Sequence, residues 1–523
     1  MLSKVYTAAL TGIDAYPVAV ETDLSRGLPA IYTVGLPSTT VKEAKERVRS
    51  AIINSGFDFP VKRITINLSP AASRKDGSHF DLPLAIGMLV SNGEIAQHRV
   101  SNVGFLGELS LDGKLIGIKG ALPLCIGLRD SGMEYIVVPR ENADEAALVD
   151  AVKIVPADTL TAVVEALQGK QSLHIYNRKE KPGSIIESEL DFADVKGQFA
   201  AKRAILTAVA GGGHGLYMIG SPGAGKTMLA SRIPTIMPEL SYEEMLELTK
   251  IYSISGMLSE MESVICERPF RMPYHSATIP ALLGGGRIPK PGEISLAHKG
   301  VLFLDEFPEF DRKVIELLRK PIETGKISIE RNEERVVFPA QFMLVAAGNP
   351  CKCGYYGDPE KECKCSGSEL RNYQMKLSGP IIDRIDIQIK VEKAKIEELQ
   401  GKSDHEEASY DNPYTSQLLT SESMREAVRG ALMIQNERYR NEPPDMRVNA
   451  RLSGRNINKY CHLNSDCRKL LAEAYRKMGL SARAYEKIIK VSRTIADLEG
   501  AEEIQEYHIA EAIQYRILDR MYE

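Results

Sequence analysis

Gly220-Ser221-Pro222-Gly223-Ala224-Gly225-Lys226-Thr227 has the spacing G-x-x-x-x-G-K-[ST], which lets a backbone wrap around a polyphosphate. The glycines turn N–H groups inward and a following helix N-terminus adds partial positive charge. Lys226 then reaches the β- and γ-phosphates, and the Thr227 hydroxyl ligates Mg²⁺. Further along, the apolar run Val301-Leu302-Phe303-Leu304 ends in Asp305-Glu306. Asp305 is placed to hold the Mg²⁺, directly or through water, and Glu306 to polarise an attacking water, the pair that ATP hydrolysis requires. A third apolar run, Phe342 to Ala347, leads to Gly348-Asn349-Pro350. The Asn349 amide either orients the lytic water and the γ-phosphate or forms a turn with Pro350; the strand order favours the first.

Directly after Asn349 come two C-x-C pairs, Cys351 with Cys353 and Cys363 with Cys365. Four thiolates suit a tetrahedral Zn²⁺ and leave no open position, so a structural clip is expected rather than a catalytic metal. The C-x-C spacing is tighter than the usual knuckle, and four reduced, unliganded cysteines are the alternative. Cys125, Cys266, Cys461 and Cys467 are scattered. In a reducing compartment the cluster reads as a metal site before it reads as two disulfides.

These groups need strands and helices to hold them. Leu216-Tyr217-Met218-Ile219 reads as the buried strand before the glycine-rich loop, and Met228-Leu229-Ala230 opens the helix after it. The first 170 residues or so alternate strand-like and helix-like signals, an α/β pattern. There, Val41, Ala44, Val48 and Ile52 recur at helical spacing, with Thr40 and Glu43 fitting a capping box. Phe105–Ile118 reads as a hairpin turning at Asp112-Gly113. Polar stretches divide the chain into a domain over 1–170, a linker over 171–190, a nucleotide-binding core over 191–392, a second linker over 393–423 and a helical end over 424–523.

At 523 residues the chain exceeds what one hydrophobic core supports. A net charge of -4 excludes a strongly basic nucleic-acid binder by bulk charge, so any DNA contact is local. Arg425 to Arg493 carries sixteen Lys or Arg against seven Asp or Glu. That excess serves either to neutralise phosphates or as a solvated helical face. No apolar run approaches the ~18–20 residues that span a membrane. Met1 to Asp23 lacks the pattern of a secretion signal, so a cytoplasmic protein without membrane contact is expected.

Longer motifs carry a family resemblance. Arg268-Pro269-Phe270-Arg271-Met272-Pro273-Tyr274-His275-Ser276, Gly284-Gly285-Gly286, the run from Pro291 to Glu306, and Leu377 to Asp386 closely resemble the ComM/YifB group of magnesium-chelatase-like AAA+ ATPases. The resemblance covers essentially the whole chain; Tyr274 stands where many members have a second histidine. It implies an α/β multidomain fold: an N-terminal Lon-protease-like (S5 domain 2-like) α/β domain, a P-loop AAA+ α/β core and a C-terminal helical lid. It also implies Arg384 as an arginine finger entering a neighbouring subunit's site and Arg483 as a second sensor. A ring, most simply a hexamer, is then expected, acting as a DNA motor in branch migration. In such a ring the Gly284–Gly286 hairpin, with Arg268, Arg271, His275, Arg287 and Lys290, would grip the DNA backbone from the pore; a turn with incidental charges is the alternative.

Two rival readings follow. The Lon-like domain suggests an ATP-dependent Ser/Lys protease, but aligning Asp76-Gly77-Ser78-His79 puts His79 at the nucleophile and Leu122 near the lysine. Ser78 and Lys119 remain as an out-of-register pair, which disfavours proteolysis. The other rival is a chelatase-type motor subunit remodelling a protein partner.

Overall fold

The computed structural model describes residues 2–172, 174–177, 189–258, 263–286, 289–331, 334–376, 379–394 and 420–516. Arg287, Leu377 and most of the second linker lie outside the described residues.

The N-terminal strands are β1 (Leu2–Thr11), β2 (Asp14–Ser25), β3 (Ala30–Val34), β4 (Arg63–Ser69), β5 (Val103–Phe105), β6 (Glu108–Leu109), β7 (Leu115–Ile116), β8 (Tyr135–Pro139) and β9 (Lys153–Ala157). Seven of them form one mixed sheet in the order β3-β4-β2-β1-β5-β8-β9. Side chains alternate across a strand, and β1 shows both outcomes. Val5 and Ala9 join the core beneath helices Thr39–Asn54 and Asp81–Asn92, while Ala8 joins the core beneath helix Ala121–Asp130.

Helix Thr39–Asn54 buries Val41, Ala44, Val48 and Ile52 as the periodicity predicts, but its cap is not the Thr40–Glu43 box. Ser38 caps it, its hydroxyl facing the Val41 N–H at 3.3 Å. Ser38 is pinned from elsewhere: it donates to Asp76 Oδ1 (2.9 Å), and its N–H bonds the Lys75 carbonyl (2.8 Å). The hairpin at Asp112-Gly113 is present as β6–β7, with Gly113 at φ +84°. It is only two residues deep, because Phe105 belongs to β5 of the main sheet. After the domain's last helix the chain still touches the sheet through the Tyr176 N–H on the Ile154 carbonyl (2.8 Å).

The second unit contains β10 (Leu216–Ile219), β11 (Phe270–Arg271), β12 (Gly284–Gly285), β13 (Lys290–Pro291), β14 (Val301–Leu304), β15 (Lys326–Arg331), β16 (Glu334–Pro339), β17 (Met343–Gly348) and β18 (Ile387–Lys390). Five strands make a wholly parallel sheet, β11-β14-β17-β10-β18. Parallel sheets are covered on both faces, which is why β10, β14 and β17 are unbroken apolar runs with every residue buried. Their carboxyl ends, side by side, set the place of the chemistry. β12–β13 is the glycine hairpin the sequence suggested; β15–β16 is a second hairpin that it did not.

Helices Ser421–Arg438, Ser465–Lys477, Ala482–Leu498 and Glu506–Gln514 close the chain and share a core with helix Phe199–Ala210. Much of the local basic excess is engaged internally. Arg438 and Arg493 flank Asp497 (2.9 and 3.0 Å), Lys487 meets Asp386 (2.6 Å), and Lys490 and Arg425 bond the carbonyls of Ala450 and Thr235. Arg429, Arg455, Arg468 and Arg476 remain exposed. No helix among the described residues is long and apolar enough to cross a membrane.

Helix Tyr242–Ser255 joins the two units. Its Lys250 pairs with Asp14 (3.1 Å), and Tyr242 Oη donates to the Leu148 carbonyl (2.8 Å). Ser253 lies beside Glu145, a carboxyl that burial pushes up to about 7 despite a hydrogen bond from Asn142 Nδ2 (2.9 Å). Between its unfolded value near 4.5 and about 7, the folded chain therefore holds a proton that the unfolded chain has released. Stability falls as pH rises through that window, by about 3 kcal/mol for this one group. Glu145→Gln should flatten the melting temperature of the full chain between pH 5.5 and 8; an unchanged slope would assign the loss elsewhere.

Candidate active site

The glycine-rich loop leaves β10 at Gly220 and enters helix Lys226–Ser231. Gly223 (φ +81°) and Gly225 (φ +84°) occupy the left-handed region that favours glycine, the backbone geometry by which a loop of this spacing can turn N–H groups towards a phosphate. Lys226 is buried, and its ammonium donates to the carbonyls of Gly220 (2.6 Å) and Ser221 (3.2 Å) and to Asn349 Oδ1 (3.3 Å). Burial lowers its pKa, while the charges of Asp305 and Glu306 act to raise it. Asn349 thus stands against the loop lysine at the end of β17, a position a mere turn residue would not need.

Thr227 Oγ1 donates to Asp305 Oδ2 (2.8 Å), so the two expected Mg²⁺ ligands already meet across the ends of β10 and β14. One hard cation with oxygen donors and retained waters fits such a pair. Asp305 Oδ1 accepts the Glu306 N–H (2.9 Å). Glu306 has φ +50°, a strained conformation for a side chain with a Cβ, costing on the order of 1–3 kcal/mol. The turn directs its carboxylate outward, 55% exposed, towards His275 Nδ1 at 3.4 Å.

His275 is therefore placed beside Glu306, edge-on to Phe310, and not on the glycine hairpin. Arg268 and Arg271 also depart from the DNA-contact expectation. Arg268 is 11% exposed and bonds Glu244 (3.1 Å) and the carbonyls of Pro238, Glu239 (3.1 Å) and Lys299 (2.7 Å). Arg271 forks onto Glu293 with two bonds of 2.7 Å. Both guanidiniums hold the domain together, because the acids and carbonyls that fold around them are remote in sequence. Lys290 sits exposed on the hairpin, and Arg287 lies outside the described residues. Arg268→Ala should cost about 3 kcal/mol of folding stability by stripping a buried charge from its acceptors. Calorimetry reads this as a lowered melting temperature; an unchanged one would return Arg268 to the free surface cations.

Arg384 and Arg483 converge on one acid that the sequence did not single out, Glu323 of helix Arg312–Thr324, at 2.7 and 3.8 Å. Nothing in the sequence marks Glu323 among the other charges of its amphipathic helix.

The sulfurs of Cys351, Cys353, Cys363 and Cys365 all lie within 4.8 Å of one another. Three of the separations are 3.3, 3.5 and 3.7 Å. Four thiolates around zinc at ≈ 2.3 Å have S···S edges of about 3.8 Å, so the donor set fits one tetrahedral ion. Backbone N–H groups near Cys353 lower its pKa, while hydrogen bonding shared among the neighbouring thiols raises those of Cys363 and Cys365, so the protons of the cluster are held in common until a metal displaces them.

With this geometry in hand, similarity to known proteins decides the family. "Magnesium chelatase, subunit ChlI" matches residues 191–399, "Subunit ChlI of Mg-chelatase" residues 20–142, and "Magnesium chelatase, subunit ChlI C-terminal" residues 419–516. The chain is 42% identical over 523 residues to competence protein ComM of Haemophilus influenzae, covering 99% of this chain and 98% of that one. The chain belongs to the ComM/YifB family of magnesium-chelatase-like proteins. It is 40% identical over 525 residues to the uncharacterized protein YifB of Escherichia coli, at 99% and 98% coverage. A shorter likeness, 27% over 177 residues, reaches the magnesium-chelatase 38 kDa subunit of Rhodobacter capsulatus, covering 30% of this chain and 50% of that one. Membership and site together support an AAA+ ATPase that uses ATP and Mg²⁺.

Proposed function

We propose that this chain is one subunit of a cytoplasmic ring, most simply a hexamer, that couples ATP hydrolysis to DNA remodelling by helicase-type branch migration in recombination or DNA uptake. The observation that carries the reading is the completeness of the hydrolytic set at three adjacent strand ends: Lys226 on Asn349, Thr227 on Asp305, and an exposed Glu306. Arg384 and Arg483 supply the charges such a ring would use across its subunit boundary, with the C-terminal helices acting as a lid. A relative 42% identical that is named a competence protein is in keeping with DNA as the substrate. Lys290 on the glycine hairpin and the exposed arginines of the C-terminal helices are the candidate phosphate contacts. The four cysteines hold one structural Zn²⁺.

We read the N-terminal domain as Lon-protease-like in fold and without proteolytic chemistry. His79, in the nucleophile's register, is buried with Nε2 on the Ala8 carbonyl (3.0 Å), and Leu122 is wholly buried. Lys119 lies along Gly256 of the ATPase unit, and no hydrogen bond joins it to Ser78 among the described residues. The chelatase-type reading, favoured by the likeness to the Rhodobacter subunit, is tested by the same experiment. ATP turnover is measured alone and with single-stranded, duplex and forked DNA. Stimulation severalfold by forked or single-stranded DNA supports the DNA motor; turnover indifferent to every DNA removes it and leaves a protein-remodelling ATPase.

A further inference from the structure

The cysteine cluster and the glycine-rich loop are parts of one surface. The segment from Asn349 to Cys365 begins with the amide that receives Lys226 and contains no helix or strand. Between its two C-x-C pairs it lies along the P-loop. A Cβ on Gly354 would come within 2.7 Å of Pro222 Cδ, so the Gly354 backbone packs directly against the Pro222 ring. Asp358, with a side chain only 2% exposed, lies beside the Ser221 hydroxyl and pairs with Lys393 (3.2 Å) just beyond β18. Those contacts, Ser221 first, hold its carboxyl well below the usual carboxylate range. Asp358 Oδ1 also gathers the N–H groups of Glu360 (2.9 Å) and Lys361 (3.1 Å), which orders the loop around it. Ser221 in turn presents its carbonyl to Lys226 (3.2 Å). A short chain of contacts therefore runs from the cluster through Asp358 and Ser221 to the phosphate-binding lysine.

A loop with Gly354, Gly357 and Pro359 and no apolar core of its own needs a staple to keep one shape, and a metal held at both ends supplies it by removing loop entropy. We propose that Zn²⁺ on Cys351, Cys353, Cys363 and Cys365 sets the nucleotide affinity of the P-loop, through Asp358 on Ser221 and Gly354 on Pro222. This rests on the zinc reading above and adds a regulated consequence to it: a metal-depleted chain binds ATP weakly.

The test uses the full chain, metal analysis by atomic emission, and the dissociation constant of a fluorescent ATP analogue in excess Mg²⁺. Circular dichroism melts verify that each variant is folded. Wild type and Asp358→Asn are expected to carry one zinc per chain, and Cys363→Ser none. Stripping zinc with a zinc-selective chelator should raise the dissociation constant about tenfold, the scale of one charge-assisted contact, with recovery on adding Zn²⁺. Asp358→Asn should show the same rise with its zinc in place. A zinc-loaded protein whose affinity stays within twofold on stripping overturns the coupling and leaves the zinc reading standing. Affinity that falls on stripping but not in Asp358→Asn overturns the route through Ser221. Wild type that neither carries nor takes up zinc overturns the zinc reading and the coupling with it.

Discussion

Glu306→Gln lowers ATP turnover by about 10²–10⁴-fold and leaves nucleotide binding intact. The carboxylate sits one residue beyond the acid that meets Thr227, on a backbone turned to φ +50°, with its side chain about half exposed beside His275. Glutamine preserves size and the capacity to hydrogen-bond but cannot draw a proton from water. Binding depends on different groups, chiefly the Lys226 ammonium and the N–H groups of the loop, so it survives the change. Phosphate release in the steady state and titration of a fluorescent ATP analogue separate the two quantities. A loss of turnover under tenfold would move the water-activating role to another group, with His275 first in line by distance.

Arg384→Ala lowers turnover by about 10³-fold, the scale of a charge placed on the transferring phosphoryl group from a neighbouring subunit. Within one chain Arg384 is 12% exposed and holds Glu323 at 2.7 Å. Its backbone is braced from behind, since Lys487 donates to the Arg384 carbonyl (2.8 Å) and to Asp386 (2.6 Å). Asp386 is buried, which alone would raise its pKa, yet Lys487 and Lys490 hold its carboxyl well below the usual range. Releasing a pair whose carboxylate is about half exposed costs only ~0–1 kcal/mol, small beside the ~4 kcal/mol that a thousandfold in rate represents. Mixing decides whether the arginine acts in trans. A subunit with Glu306→Gln keeps its arginine, and one with Arg384→Ala keeps its glutamate. Mixed rings should regain measurable turnover that neither variant has alone; a mixture as inactive as its parts would put Arg384 to work within its own chain, or only on Glu323.

The P-loop, the Asp305-Glu306 pair and Asn349 were legible in the residues because each is defined by a local run. An apolar strand, a turn and a few functional side chains are read over roughly ten positions, and a parallel sheet buried on both faces makes each run conspicuous. The cysteine cluster was legible for the same reason, as spacing within a single loop. Several features depended on partners far away along the chain. Ser38 displaced the expected cap of its helix because Lys75 and Asp76 hold it. Arg268 and Arg271 looked like free cations because charge in a sequence has no direction; folding turned them onto Glu244, Glu293 and backbone carbonyls. The basic excess between Arg425 and Arg493 was turned partly inward, to Asp497 and Asp386, for the same reason. The meetings of His275 with Glu306, of two arginines on Glu323, and of Asp358 with Ser221 were decided by tertiary structure alone. Local spacing determined which chemistry this chain carries, since backbone geometry within a turn follows from neighbouring residues. Packing determined which charges are spoken for and which groups act on one another, since those pairings are selected only when separate elements exclude water from between them.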